Sequence, residues 1–130
     1  MSYYGCARVI LRIGCCGALG FGWGMASADS VAPAQAFERC AACHGVAQGD
    51  QRVGPSLGDV LGRQAGSMEG FRYSSAMRSS GIVWTAQSLE LFLKDPQRAV
   101  PGNRMAFSGV DDAPTRDAIV DYLREHSQAR

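Results

Sequence analysis

Two cysteines three residues apart, Cys40 and Cys43, are followed at once by His44. On a helical backbone, residues i and i+3 share a face. Two thiols at this spacing can bond to one edge of a porphyrin while the histidine turns a ring nitrogen onto the iron. Cys40-Ala41-Ala42-Cys43-His44 is thus the C-x-x-C-H signature of covalent haem attachment. A redox-active C-x-x-C with an incidental histidine is the rival reading. That motif follows a strand in a βαβ pattern, and no such strand pattern precedes Cys40. A structural zinc site would need a second cysteine or histidine pair, and the only histidines are His44 and His126.

Iron held by one histidine has an open sixth position, and what fills it decides between electron transfer and ligand binding or catalysis. Met68, Met77, Met105, His126 and Lys94 are the candidates. His126 falls near the end of the last expected helix and reads as a surface residue, while Met68 and Met77 read as packing. Met105 stands apart in Val100-Pro101-Gly102-Asn103-Arg104-Met105-Ala106-Phe107.

That octapeptide resembles the P-G-x-x-M-x-F methionine-ligand loop of class I cytochromes c of the mitochondrial and bacterial cytochrome c2 type. The resemblance runs from Phe37 to about His126 and includes Gly54-Pro55-Ser56-Leu57, Gly62-Arg63, Gly70-Phe71-Arg72-Tyr73 and Gly81-Ile82-Val83-Trp84 in order. It implies an all-α class I cytochrome c fold, about five helices and long loops wrapped around one covalently bound haem c. It also implies axial iron ligation by His44 and Met105, thioethers from Cys40 and Cys43, and a Pro55 carbonyl that orients the histidine. Tyr73 and Trp84 would hold a haem propionate, with Arg63 as countercharge, and Leu57, Leu93 and Phe107 would pack on the ring. Three departures from the family pattern stand out. Met77 and Phe92 replace the usual asparagine and tyrosine near the methionine side, which predicts a less polar interior. Asn103 stands for a common threonine. No glycine precedes Phe37 where the first and last helices cross in relatives.

The elements that must position these residues are legible in outline. Ser30 can cap a first helix from about Val31 to Ala42, with Pro33 in its first turn. The stretch Val46–Arg72 is glycine-rich and lacks an apolar period, so it reads as a long ordered loop. Ser74–Ser79 makes a short helix stopped by Gly81. Thr85 caps a helix lined by Leu89, Phe92 and Leu93 and ended by Pro96. The last helix begins near Asp111–Pro114 and carries Ile119, Tyr122 and Leu123 as its stripe. The resemblance places the crossing of first and last helices near Phe37 and Tyr122.

Ahead of this domain, Arg8 and Arg12 precede an apolar, glycine-rich stretch from Ile13 to Ala26, and Ala26-Ser27-Ala28 has the small-x-small form of a cleavage site. Residues 1–28 therefore read as a signal peptide and residues 29–130 as one cytochrome c domain, exported to the periplasm. An uncleaved membrane anchor is the alternative, although the apolar stretch is shorter than the roughly 20 residues a spanning helix needs. Cleavage removes two of the thirteen basic residues and none of the twelve acidic ones, so the formal charge changes from +1 to −1. Such a near-neutral chain gives no support for nucleic-acid binding, and none is expected. Lys94 is the only lysine.

The expected function is a soluble electron carrier rather than an enzyme. It would be a monomer that meets redox donors and acceptors transiently, membrane-bound oxidase or dehydrogenase complexes among them. Arg39, Arg98 and Arg104 stand where relatives place a lysine ring around the exposed haem edge. Gln97, Arg98 and Arg104 occupy the loop positions whose lysines displace the methionine at alkaline pH in relatives. Two rivals stay open on the residues alone: a haem enzyme or gas-binding protein, and a domain docked permanently in a larger complex.

Overall fold

The computed structural model describes residues 31–127, so the proposed leader and Ser30 lie outside the described residues. Five helices follow in order: α1 Pro33–Ala41, α2 Ser75–Ser79, α3 Ala86–Lys94, α4 Pro96–Ala99 and α5 Ala113–Glu125. Among the described residues there is no strand, only an isolated antiparallel bridge between Gln64 and Val83.

Each helix start has a local cause. Ser74 accepts from the Met77 amide at the head of α2, and Asp112 accepts from the Thr115 amide at the head of α5. Thr85 and Ser88 cap α3 reciprocally, at 3.1 and 2.8 Å, satisfying two amides that the helix itself cannot. The N-cap of α1 is Ala32, with no side-chain hydrogen bond; Pro33 sets the first turn through its fixed φ. Pro96 opens α4 directly after α3 stops at Lys94, and Asp95 caps that short turn by accepting from the Arg98 amide at 3.0 Å. The proline that ends one helix thus starts the next.

Helices α1 and α5 make the main helix contact, and α3 packs on both α4 and α5. Phe37 stacks on Tyr122 with ring centroids 4.4 Å apart, at the crossing expected from the resemblance. Ala36, Phe37 and Cys40 are the buried face of α1, and Ile119, Val120 and Leu123 fill the centre from α5. The C-terminal end of α1 is therefore held by packing, and this fixes where the attachment motif emerges.

Residues 46–72 form the expected loop without regular structure. It is ordered by its own hydrogen bonds. Ser56, fully buried, donates to the Ala47 carbonyl at 2.7 Å, and Leu57 donates its amide to Gly45 at 2.8 Å. Further on, the amides of Gly62, Ala65 and Trp84 pair with the carbonyls of Trp84, Ile82 and Arg63. That short ladder ties Arg63 to Trp84 along the backbone.

Candidate haem site

The chain turns off α1 through the amides of Cys43 and His44, which both donate to the Cys40 carbonyl at 3.0 and 2.9 Å. Arg52 donates to the Ala41 carbonyl at 3.0 Å while ion-paired with Asp50, and so closes the end of the helix from outside. No sequence signal marks this contact, because it spans the loop. Cys40 is buried and Cys43 exposed, and no disulfide joins them. Burial pushes the Cys40 thiol up to about 11, against a smaller opposing pull from Arg39.

His44 is buried, and its Nδ1 lies 2.8 Å from the Pro55 carbonyl, which can only accept. Nδ1 therefore carries the proton, and Nε2 keeps its lone pair for a metal. Burial lowers the imidazole pKa, partly offset by the Pro55 bond, so the ring is neutral near pH 7. Gly54 closes against this ring: a Cβ there would sit 2.3 Å from Cε1 and 2.6 Å from Nδ1. Only glycine fits, for reasons of space.

Met105 is half-buried against the core, as are Phe107 and Leu57. Its loop is organised by Asn103, which is only 6% exposed. The Asn103 amide nitrogen donates to Pro96 at 2.7 Å and to Val100 at 3.0 Å, and its oxygen accepts from the Met105 amide at 2.9 Å. Both donor hydrogens go to backbone carbonyls, which fixes the amide orientation. The residue standing for the family's threonine thus braces the loop internally.

Trp84 is buried, with Phe92 set edge-on at 5.1 Å, and Met77 is buried too. The interior is apolar at both positions where the family pattern carries polar groups. Arg63 is half-buried and donates to the carbonyls of Ser56 and Gly58 at 2.8 and 3.1 Å. Burial lowers its pKa, while nearby Tyr73 and Asp59 favour its charge. Burial likewise raises that of Tyr73, with Arg63 pulling it down. Arg63 therefore has a structural task in the loop, besides facing Tyr73 electrostatically.

Two thiols and an imidazole nitrogen converge at the end of one helix, with the glycine gap that admits the ring. A thioether stands in a braced loop beside apolar packing residues. This donor set fits a covalently bound haem. Among the described residues no group of three or more His, Cys, Asp or Glu side chains could form a separate metal site.

An all-helical domain built around such a site defines an electron-transfer haem protein. The Cytochrome c family model matches residues 31–127, and the chain belongs to that family. It is 45% identical over 92 residues to cytochrome c2 of Afifella marina, covering 68% of this chain and 74% of that one. Against cytochrome c2 of Blastochloris viridis it is 36% identical over 101 residues, or 77% and 80% of the two chains. Among solved structures it is similar to cytochrome cH from Methylobacterium extorquens, with a TM-score of 0.69 and 38% identity over 75% of this chain and 98% of that one. The fold is the class I cytochrome c fold, the protein carries one covalent haem c, and its role is electron transfer, not catalysis.

Proposed function

We propose that this chain is a soluble periplasmic carrier that moves single electrons between redox proteins, with its iron ligated by His44 Nε2 and Met105 Sδ. The observation that carries this reading is the His44 geometry: Nδ1 is committed to Pro55 and Nε2 is left free beside the two thiols. When bound, the haem supplies reversible one-electron exchange at iron. The chain supplies the rest. Cys40 and Cys43 hold the porphyrin edge, and Pro55 and Gly54 fix the imidazole plane. Asn103 presents the Met105 thioether. Tyr73 and Trp84 bind a propionate, with Arg63 offsetting its charge. Met77, Phe92 and Trp84 exclude water. A thioether ligand and a dry interior both favour the ferrous state and raise the potential.

The leader-like segment ending in Ala26-Ser27-Ala28 supports the compartment, and no helix among the described residues is long and apolar enough to cross a membrane. Partners would dock briefly on the arginine-bearing surface of Arg39, Arg98 and Arg104, with rates that fall as salt screens it.

Replacing Met105 with alanine tests the ligation. The midpoint potential should fall, and the reduced protein should take up carbon monoxide readily at neutral pH where the wild type does not. An unchanged ferrous spectrum and potential would refute the assignment of Met105.

A further inference from the structure

Among the described residues Asp59 alone, glycines aside, has a positive φ, at +53°. A side chain is strained there, and glycine would take the same turn without strain. The turn itself is fastened to the end of α5 by backbone groups. The Asp59 amide donates to the His126 carbonyl at 3.4 Å, and the Leu61 amide donates to Ser127 Oγ at 3.4 Å. What aspartate adds to such a turn is its charge.

That charge is poorly satisfied. Gln48 Nε2 donates to Oδ2 at 3.2 Å, whereas Oδ1 is buried without a hydrogen-bond donor, the only such side-chain atom among the described residues. A buried anionic oxygen is costly unless an opposite charge offsets it. Asp59 shares a hollow of about 390 Å³ with Leu61, Gly62, Arg63 and Ser127. Among the described residues the ion pairs are Arg52–Asp50 and Arg124–Asp121, so Arg63 and Asp59 are not in contact. The Nη groups of Arg63 are already committed to the Gly58 and Ser56 carbonyls. The two charges therefore interact across the hollow, in a partly buried place where salt screens them less than at the surface. Burial works against the charge on Arg63, while Tyr73 and then Asp59 support it. His126, on the end of α5, is the other titratable group here, with Nδ1 committed to the Tyr122 carbonyl at 2.7 Å.

We propose that Asp59 is a positioning residue for electron transfer: its negative charge draws part of the Arg63 field away from the haem propionate and so holds the midpoint potential down. The inference rests on Arg63 offsetting a propionate, as proposed above. Both consequences of the charge have one sign. A negative charge near the haem favours the ferric state, and a propionate that is less fully offset does the same. Asp59 thus works against the thioether and the dry interior, which raise the potential.

The test is the midpoint potential of the holoprotein in wild type, Asp59→Asn and Asp59→Gly. Asparagine keeps the shape of the side chain and glycine relieves the backbone, but both remove the charge. Each should bias the one-electron equilibrium toward the ferrous form by the same factor, on the order of threefold, or about 30 mV. A merely structural role would make the shift follow stability in denaturant, and it should not. Asp117→Asn, at an exposed position on α5, should leave the potential unchanged at high salt, where the Asp59 shift persists. On acidification the wild-type potential should climb toward that of the variants, because protonating the carboxylate removes the same charge, and the variants should lack this step. A step retained in both variants belongs to His126 or a propionate and would overturn the proposal, as would an unchanged potential in both or a shift in only one of them. Arg63→Gln examines the propionate pairing by itself: it should lower the potential, and no change there counts against that pairing. A normal fall in Arg63→Gln with no shift in either Asp59 variant removes only the role of Asp59.

Discussion

Around His44 the protein leaves no room. The Gly54 backbone lies against the imidazole, the Pro55 carbonyl holds Nδ1, and two adjacent thiols are placed to fasten the haem covalently. Around Met105 the constraint is of another kind: a half-buried side chain on a turn held by one asparagine and an arginine reaching over to residue 72. The histidine segment is secured by steric contact and covalent bonds, the methionine loop by a few hydrogen bonds. Contacts of the first kind fail only if the fold shifts, whereas a hydrogen-bonded turn can open while the rest of the molecule stays folded. On the ligation proposed above, the sixth iron position is therefore the one expected to be labile.

Mutations can press on this contrast from each side. Gly54→Ala should have the largest effect, since the new methyl would overlap the His44 ring and force the loop or the imidazole to move. A global loss of about 3 kcal/mol is expected in chemical denaturation of the holoprotein, the upper end for overpacking. A smaller loss with an unchanged potential would show that the histidine side is more compliant than its packing suggests.

Asn103→Ala should act locally. It strips the Met105 amide of its partner, at a cost of about 1–3 kcal/mol, and takes one of two hydrogen bonds from the Pro96 and Val100 carbonyls, which keep the amides of Val100 and Asn103. Methionine ligation, followed by its charge-transfer absorption, should then be lost at lower denaturant, and at lower pH in an alkaline titration, while the haem stays attached. If global unfolding and ligand loss instead shift together, the loop is no separate unit.

The smallest effect is expected from Lys94→Ala. Lys94 is exposed in the last turn of α3, outside the Met105 loop, and Gln97, Arg98 and Arg104 stand at the loop positions where the resemblance implies displacing lysines. Arginine stays protonated throughout the accessible alkaline range and does not ligate iron. Methionine ligation should give way only at high pH, to hydroxide, with the same midpoint in Lys94→Ala and wild type. Spectra of a lysine-ligated form that vanish in the variant would contradict this.

Much of the site is legible in the order of residues alone. Cys40, Cys43 and His44 form a contiguous motif whose chemistry depends on local helical spacing, and Pro33, Thr85 and Asp112 mark helix starts because capping reaches only three residues ahead. The expected Ser30 cap is corrected: α1 begins two residues later than expected, at Pro33, with Ala32 as its N-cap and no side-chain hydrogen bond there. The α4 turn after Pro96 is not legible in the same way, because a proline ending one helix looks the same as one opening another.

What the sequence determined by itself was the chemistry carried by short-range order: an attachment motif, a methionine loop, helix boundaries and the apolar stripes of α1, α3 and α5. Tertiary structure alone decided the rest. Arg52 closing α1, Arg63 clasping Ser56 and Gly58, the Gly54 gap around the imidazole and Arg104 reaching the Arg72 carbonyl all depend on where the loops come to lie. Such contacts join segments whose separation along the chain bears no fixed relation to their distance in space, so no periodicity encodes them.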